Sequence, residues 1–212
     1  MSMADNSPDP PKLTDQHRLT LLEIAERVIR DGARAGRPHV APSEVPAELV
    51  DPLPDIERAT FVTVYVADQL NGCIGQLQAT RPIWEDVRQN AHRAAFADRR
   101  FEPLTVEQLP QLDLHISVLD PLEEIPADGP ERLWEFVEPG RHGLLLMTER
   151  RRGTFLPSVW EKCPDPDNFL VHLKRKAGLP PDAWPDDLRV FRYTVDEFDR
   201  PTLEGIAETA PA

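Results

Sequence analysis

The run Phe61-Val62-Thr63-Val64-Tyr65-Val66, followed closely by Gly72-Cys73-Ile74-Gly75, decides the fold of this chain. Valine, threonine and aromatic residues are enriched in β-strands, so the first run predicts a strand over residues 61–66. Asn71-Gly72 is a dipeptide typical of tight turns. It predicts a hairpin whose returning strand covers residues 73–78, with a cysteine at its start.

An amphipathic helix is predicted before this hairpin. Thr14 is a suitable N-cap, and Leu21, Ile24 and Val28 recur at helical spacing. The pair Asp31-Gly32 predicts the end of the helix. Residues 33–57 are rich in proline, which predicts an extended loop without a regular hydrogen-bond ladder.

Strands and helices are mixed irregularly in the rest of the chain. Residues 112–119 alternate between apolar and polar side chains, as a half-buried strand does. Further strands are predicted over 143–148, 153–156 and 188–195, and helices from Pro82, over 157–162 and over 165–178, with a short one around 133–136. Because βαβ units do not repeat, this order predicts an α+β fold with a mostly antiparallel sheet flanked by helices.

The bulk composition limits the classes of function. The net charge of −13 argues against nucleic acid and against an anionic membrane surface as partners, because both need a basic face. No apolar run is long enough for a membrane span, and residues 1–13 have no secretory pattern; we expect them to be a disordered tail. With only two cysteines, Cys73 and Cys163, we expect a cytoplasmic protein with free thiols. Residue spacing indicates no metal site, and no nucleotide-binding motif is present, so we expect no cofactor.

Several segments, taken together and in order, resemble one protein family. They are Gly72-Cys73-Ile74-Gly75; Asn90-Ala91 with Ala94-Ala95-Phe96; Asp98, Arg100-Phe101 and Pro103-Leu104; Ile116-Ser117-Val118-Leu119; Gly140 with His142-Gly143; Leu156-Pro157 with Val159; and Lys176-Ala177-Gly178-Leu179-Pro180. This pattern is similar to the AMMECR-type domain, also called AmmeMemoRadiSam system protein A. The resemblance covers about residues 14–199, which leaves 200–212 as a C-terminal tail.

The resemblance carries expectations about architecture and partners. It implies an α+β domain with two unequal lobes, and association with a MEMO-like protein and a radical S-adenosylmethionine protein. This chain departs from the family at Asn71, where an arginine usually precedes the Gly-Cys pair. If that arginine binds an anion in relatives, the role is lost here or is filled by another residue.

Cys73 is the candidate reactive group. The glycines beside it, Gly72 and Gly75, leave the backbone open to close approach, and we expect them to contribute to substrate binding. The alternative is that Cys73 is a small buried side chain in a hairpin, since free cysteine is often buried. Cys163 falls outside the matching segments and is interpreted as structural or incidental.

His142 and Arg100 are the predicted partners of the thiol. His142 lies between two glycines in a turn, where an imidazole can act as a base near neutral pH. Arg100 could clamp a carboxylate or phosphate of a substrate. The alternatives are that His142 is a solvated turn residue and that Arg100 pairs with a nearby acid, such as Asp98 or Glu102.

Two other groups of residues invite a functional interpretation. Asp113, His115 and Ser117 share one face of a strand, but neighbours on a strand stand side by side, so we reject a catalytic triad and expect a polar sheet face. The basic runs 150–152 and 174–176 would form an anion site only if they converged in space. The second run sits at a helix C-terminus, where cations offset the helix dipole.

The sequence therefore supports two hypotheses. In the first, the chain is a cytoplasmic accessory enzyme of the AmmeMemoRadiSam type that uses Cys73, tuned by His142, on a small and possibly anionic substrate near Arg100. In the second, it is a non-catalytic binding module that docks the MEMO-like or radical S-adenosylmethionine partner.

Overall fold

The computed structural model describes residues 12–36 and 42–203 and has the predicted α+β fold. The chain divides into two compact units. The first unit comprises the residues up to Val118 together with those from Glu197 onward, and the second unit runs from Leu119 to Asp196. Helices accompany two four-stranded sheets, one in each unit, whereas the sequence led us to expect a single sheet.

The first unit is built on a sheet with the strand order β2-β1-β3-β8. Its strands are β1 (Thr60–Val66), β2 (Gln69–Gly75), β3 (Leu112–Leu119) and β8 (Val195–Asp199). Its helices are α1 (Asp15–Ala35), α2 (Ala47–Val50) and α3 (Ile83–Phe96), with a 3₁₀ helix at Val106–Gln111. β1 lies between β2 and β3 and pairs antiparallel with both, so β2 is an edge strand.

The two faces of this sheet differ in character because side chains alternate along a strand. Val62 and Val64 of β1 are fully buried in the same core cluster as α1 and α3, and Leu114 and Ile116 of β3 join them. The intervening residues of β1, among them Thr63, point to the opposite face and are half-buried. This opposite face carries the candidate site.

The structure corrects the predicted end of α1. The helix continues through Gly32 to Ala35 and ends at Gly36, whose backbone is left-handed with φ 57°. Gly32 serves packing instead: a Cβ at this position would lie 2.5 Å from Cε2 of the buried Phe96 in α3. The glycine therefore allows α1 and α3 to approach closely.

The predicted turn at Asn71-Gly72 is wrong. β1 and β2 are joined at Ala67-Asp68, whose φ angles of 49° and 61° fit a two-residue hairpin turn. Asn71 lies inside β2, where the register with β1 shifts by one residue, so that it is the extra residue of a β-bulge. The returning strand therefore begins at Gln69 and ends at Gly75, and Cys73 lies within it rather than at its start.

The predicted loop 33–57 is more ordered than its proline content indicated. It contains α2, and Val45, Leu49 and Ile56 pack against the core of the first unit. The guanidinium of Arg88 donates hydrogen bonds to the carbonyl oxygens at Pro42 and Ser43, both at 3.0 Å, which holds the segment on α3. Residues 37–41 of this loop lie outside the described residues.

The predicted tails fall largely outside the described residues, which exclude 1–11 and 204–212. Thr14 is the N-cap of α1, as predicted, and its hydroxyl accepts a hydrogen bond from the amide of His17 at 3.2 Å. Leu13 and Leu203 are both buried against the core of the first unit. Packed residues therefore extend slightly beyond the range 14–199.

The second unit has a sheet with the strand order β4-β7-β5-β6. Its elements are β4 (Glu123–Ile125), α4 (Pro130–Leu133), β5 (Gly143–Met147), β6 (Arg152–Phe155), α5 (Val159–Lys162), α6 (Pro166–Lys176) and β7 (Arg189–Tyr193). Phe169 and Leu173 of α6 are fully buried, and the ring of Trp160 stacks on Phe169 at 3.6 Å. The predicted strand 188–195 is in fact split at Thr194 between β7 and β8, and β4 was not predicted.

The packing of Gly32 leads to a prediction for the variant Gly32→Ala. Alanine normally stabilises a helix interior by about 1 kcal/mol relative to glycine. Here the added methyl group overlaps Phe96, so we expect the variant to be destabilised by about 1–3 kcal/mol in thermal or urea unfolding.

Gly129→Ala is the matched control, because nothing lies within 4 Å of a Cβ at that position. Because Gly129 is only the N-cap of the four-residue helix α4, stability should change by less than about 1 kcal/mol. A Gly32→Ala protein more stable than the parent would show that α1 and α3 are not in close contact there.

Candidate functional site

Cys73 lies in a polar row that crosses the sheet of the first unit. Thr63 of β1 is the register partner of Cys73 on one side and of His115 on the other. Directly opposed residues in paired strands project to the same face. The structure thus aligns a thiol, a hydroxyl and an imidazole on three adjacent strands.

The thiol of Cys73 is half-buried and hydrogen-bonded. The hydroxyl of Thr63 donates to its Sγ at 3.3 Å. The sulfur therefore accepts a hydrogen bond from the neighbouring strand. Thr63 was not among the predicted site residues, because its proximity to Cys73 depends on the register of β1 and β2.

The peptide groups of Cys73 are held by a pair of charged residues. The amide of Cys73 donates to Asp98 Oδ2 at 3.0 Å, and its carbonyl oxygen accepts from Arg100 Nη2 at 3.1 Å. An edge strand leaves backbone donors and acceptors without a neighbouring strand. Asp98 and Arg100 satisfy both of them at Cys73, and we call this arrangement the Asp98–Arg100 clamp.

Within the clamp the two side chains form a bidentate ion pair. Arg100 Nε lies 2.9 Å from Asp98 Oδ1, and Nη2 lies 2.6 Å from Oδ2. These hydrogen bonds from Arg100 keep the pKa of Asp98 well below its ordinary value, although burial acts in the opposite direction. The carboxylate is 5% exposed and the guanidinium 60%. Arg100 therefore pairs with Asp98, as one alternative predicted, while much of its surface stays accessible.

At both glycines of the motif, neighbouring protein atoms occupy the space that a Cβ would take. A Cβ at Gly72 would collide with the carbonyl oxygen of Ala94 in α3, and one at Gly75 would collide with the ring of Phe61. On the side where a Cβ would point, neither glycine opens a space for a ligand. Gly72 instead lets β2 lie close to α3, and a substrate-binding role for Gly72 and Gly75 stays a prediction.

Tyr65 and His115 extend the polar face beside the thiol. Their rings are in tilted contact with centroids 4.9 Å apart. Burial raises the pKa of Tyr65, and the nearby Cys73 and the carboxylates of Glu197 and Asp113 raise it further. The phenol of Tyr65 therefore stays protonated at neutral pH and can donate a hydrogen bond.

His115 is held by carboxylates from two strands. Its Nε2 lies 3.3 Å from Asp113 Oδ2 on its own strand and 3.5 Å from Asp199 Oδ2 on β8. Ser117, the third member of the rejected triad, is buried at 3% exposure. The contact with Asp199 joins residues far apart in sequence, so spacing could not reveal it.

His142 belongs to the second unit, whereas Cys73 belongs to the first. Its Nδ1 accepts a hydrogen bond from the amide of Glu138 at 2.9 Å, and its carbonyl oxygen accepts from Trp160 Nε1 at 2.8 Å. Burial lowers the pKa of His142, and the nearby Arg192 and Arg141 lower it further. These contacts give His142 a role within its own turn, and its predicted pairing with Cys73 stays a prediction.

The two basic runs meet at the C-terminal end of α6, but mainly through structural contacts. The guanidinium of Arg151 donates to the carbonyl oxygen of Gly178 just after the helix. Lys174 is buried; its Nζ donates to the carbonyl oxygen of Pro181 at 3.0 Å and lies 5.1 Å from the centroid of the Trp184 ring. This arrangement supports the interpretation as helix-end cations. Cys163 packs against the core of the second unit.

A buried polar network at Asp86 was not predicted. Its carboxylate is fully buried and accepts hydrogen bonds from the amide and hydroxyl of Thr60, from Asn90 and from Gln76, at 2.7–2.9 Å. Burial raises the pKa of Asp86. The network ties the start of β1 and the residue after β2 to α3, so it stabilises the hairpin that carries Cys73.

Two observations concern ions and membranes. In residues 12–36 and 42–203, no three His, Cys, Asp or Glu side chains are grouped as metal ligands would be. Over the same described ranges, no helix combines the length and the apolar character needed to span a membrane.

The fold and site define an α+β protein of two units whose first sheet displays a clamped cysteine on its edge strand. The chain belongs to the AMMECR1 family, whose model matches residues 22–198. This confirms the family resemblance inferred from the sequence.

Known relatives share most of the length of the chain. A protein of Methanothermobacter thermautotrophicus is 33% identical over 89% of this chain and 96% of its own length. Protein MK0488 of Methanopyrus kandleri is 38% identical over 70% of this chain and 74% of its own. The crystal structure of uncharacterized protein PH0010 from Pyrococcus horikoshii matches with a TM-score of 0.75 and 30% identity, over 89% of this chain and 93% of that one.

The clamp leads to a prediction for Asp98→Asn. The pKa of Asp98 is lower in the folded chain than in the unfolded chain, so its pairing stabilises the fold above the ordinary value of 3.8. That stabilisation is lost as the pH falls through this value toward the folded pKa. We expect Asp98→Asn to lose about 2 kcal/mol at pH 7 and to show a smaller loss of stability than the parent between about pH 5 and 3.

Asp128→Asn is the control, because its ion pair with Arg132 is exposed and should contribute less than about 0.5 kcal/mol. Unfolding midpoints across the pH series provide the measurement. Parallel pH curves for the parent and Asp98→Asn would contradict a folded Asp98 held in its charged form.

Proposed function

We propose that this protein is a cytoplasmic accessory enzyme of the AmmeMemoRadiSam type in which Cys73 is the reactive group. The observation that carries the proposal is the contrast at Cys73. The Asp98–Arg100 clamp fixes both the amide and the carbonyl group of Cys73, while this half-buried residue places its thiol on the polar face with a donor directed at the sulfur. A catalytic nucleophile needs a fixed position and an activated thiol.

The substrate proposed for this site is a small molecule bound beside the thiol. Arg100 is positioned to contact it, since its guanidinium is 60% exposed and its other hydrogen bonds fix its orientation. A carboxylate or phosphate on the substrate would suit such a fixed guanidinium. The pairing with Asp98 offsets part of its charge, so such contacts would orient the substrate more than bind it.

A second candidate function is a binding module without catalysis. The observation that favours it is that Arg100 and both glycines have structural partners within the first unit. In this proposal the hairpin is a rigid docking surface for a MEMO-like or radical S-adenosylmethionine partner. The bulge at Asn71 and the clamp at Cys73 interrupt the edge of β2, so docking would use side chains rather than strand addition.

The enzyme proposal predicts a reactive Cys73. In a Cys163→Ser background, iodoacetamide should modify native Cys73 faster at pH 7 than it modifies the same chain unfolded in urea. Thr63→Val removes the donor to Sγ and should slow the native reaction roughly two- to tenfold. Thr63→Ser keeps the hydroxyl and should restore most of the rate.

In the Cys73→Ser protein, Cys163 is the remaining thiol, and its modification rate is the control. The enzyme proposal would be overturned if Cys73 reacts only after unfolding, or if its modification rate is the same in the parent and in Thr63→Val. Binding of the purified partners by the Cys73→Ser protein then tests the module directly. Unchanged binding and unchanged partner-dependent reactions would favour the module.

A further inference from the structure

The polar row that contains Cys73 also contains an imidazole and a carboxylate, which are groups that can take part in catalysis. Cys73, Thr63, His115 and Asp199 lie on β2, β1, β3 and β8, one residue on each strand of the sheet. Cys73 and Thr63 are hydrogen-bonded, Thr63 and His115 are register partners, and His115 contacts Asp199. The row therefore runs from a nucleophile to an imidazole that is oriented by a carboxylate.

We propose that His115 is the acid–base residue of the Cys73 site, oriented by Asp113 and Asp199. This assignment rests on the proposed catalytic function of Cys73. It gives the proton-transfer role to a histidine on the same sheet face as the thiol, a residue that sequence spacing led us to dismiss.

The contacts of the ring specify which nitrogen acts. Asp113 and Asp199 both contact Nε2, so this nitrogen carries a proton that the carboxylates accept. Nδ1 is the nitrogen that these carboxylates leave available. Nδ1 accepts a proton when the ring is neutral and donates one when the ring is charged.

The spacing of the strands determines what His115 can reach. β2 and β3 are separated by β1, so their backbones lie about 9.6 Å apart, which is too far for a direct hydrogen bond from Cys73 to His115. The side chain between them is the short Thr63. A small molecule placed over Thr63 would meet the thiol on one side and the imidazole on the other, so His115 acts on the group that leaves.

Acetyl transfer from an aryl ester shows how the proton would move. Sγ of Cys73 attacks the carbonyl carbon, the carbon–sulfur bond forms, and the bond from that carbon to the aryl oxygen breaks. The thiol proton passes to solvent, and Nδ1 of the charged His115 ring donates a proton to the departing aryl oxygen and then regains one from solvent. The products are acetyl-Cys73 and a phenol, with no net change in the imidazole.

Two esters with the same acyl group but different leaving groups test this role. In the Cys163→Ser background, acetylation of Cys73 is followed by mass spectrometry with 4-nitrophenyl acetate and with phenyl acetate. Nitrophenolate leaves without a proton, whereas phenolate is more basic and benefits from an acid. A proton donor therefore matters mainly for phenyl acetate.

His115→Gln is the critical variant, because a glutamine amide can still donate to both carboxylates but cannot transfer a proton. We expect the phenyl acetate rate to fall roughly tenfold or more, and the 4-nitrophenyl acetate rate to change less than about threefold. Asp199→Asn should lower the ratio of the phenyl acetate rate to the 4-nitrophenyl acetate rate, but to a smaller extent. His172→Gln, an exposed histidine on α6, should change neither rate.

The possible outcomes separate the two proposals. Equal losses with both esters in His115→Gln would show a structural role for His115 and overturn this inference, as would no change in either rate. If neither ester acetylates native Cys73 faster than the unfolded chain, the proposed function of Cys73 itself is overturned.

Discussion

The site depends on one ion pair, that between Asp98 and Arg100, and on the peptide it holds. β2 is an edge strand, and its backbone groups at Cys73 would otherwise face solvent or another chain. The pair satisfies both groups with charged partners, which form stronger hydrogen bonds than neutral ones. It fixes the backbone of the cysteine, while the thiol lies on the polar face of the sheet beside Thr63. The same contacts prevent another strand from pairing with β2 at this point.

The rest of the first unit supports that geometry from behind. Gly72 lies against the backbone of α3, and the buried carboxylate of Asp86 ties both ends of the hairpin to the same helix. The apolar face of the sheet packs on α1 and α3, so the polar residues on the opposite face hold their positions. A rigid sheet places functional side chains more accurately than a loop would. The relative positions of Cys73, Thr63 and His115 are set in this way, because each of them lies on a different strand of the same sheet.

Much of the fold could be predicted from the sequence, since β1, β3 and α3 show clear alternation or helical spacing. The hairpin turn could not, because Ala67-Asp68 carries no strong turn signal and Asn71-Gly72 carries one that a β-bulge absorbs. The end of α1 was misplaced because Gly32 serves packing against Phe96 rather than termination.

The candidate site could also be predicted only in part from the sequence. Cys73 was found from its glycine neighbours, and the pairing of Asp98 with Arg100 was one of the alternatives considered. Thr63 and Asp199 were missed as partners because strand register and tertiary pairing bring them to the thiol and the imidazole. Local spacing carries no information on such contacts.

Hydrogen exchange at the Cys73 amide, measured by NMR, tests the clamp most directly. The account predicts that this amide exchanges slowly at neutral pH in the parent and rapidly in Asp98→Ala, while the amide of Leu70, an exposed residue on the same strand, is unaffected by the substitution. A Cys73 amide that exchanges equally fast in both proteins would contradict it.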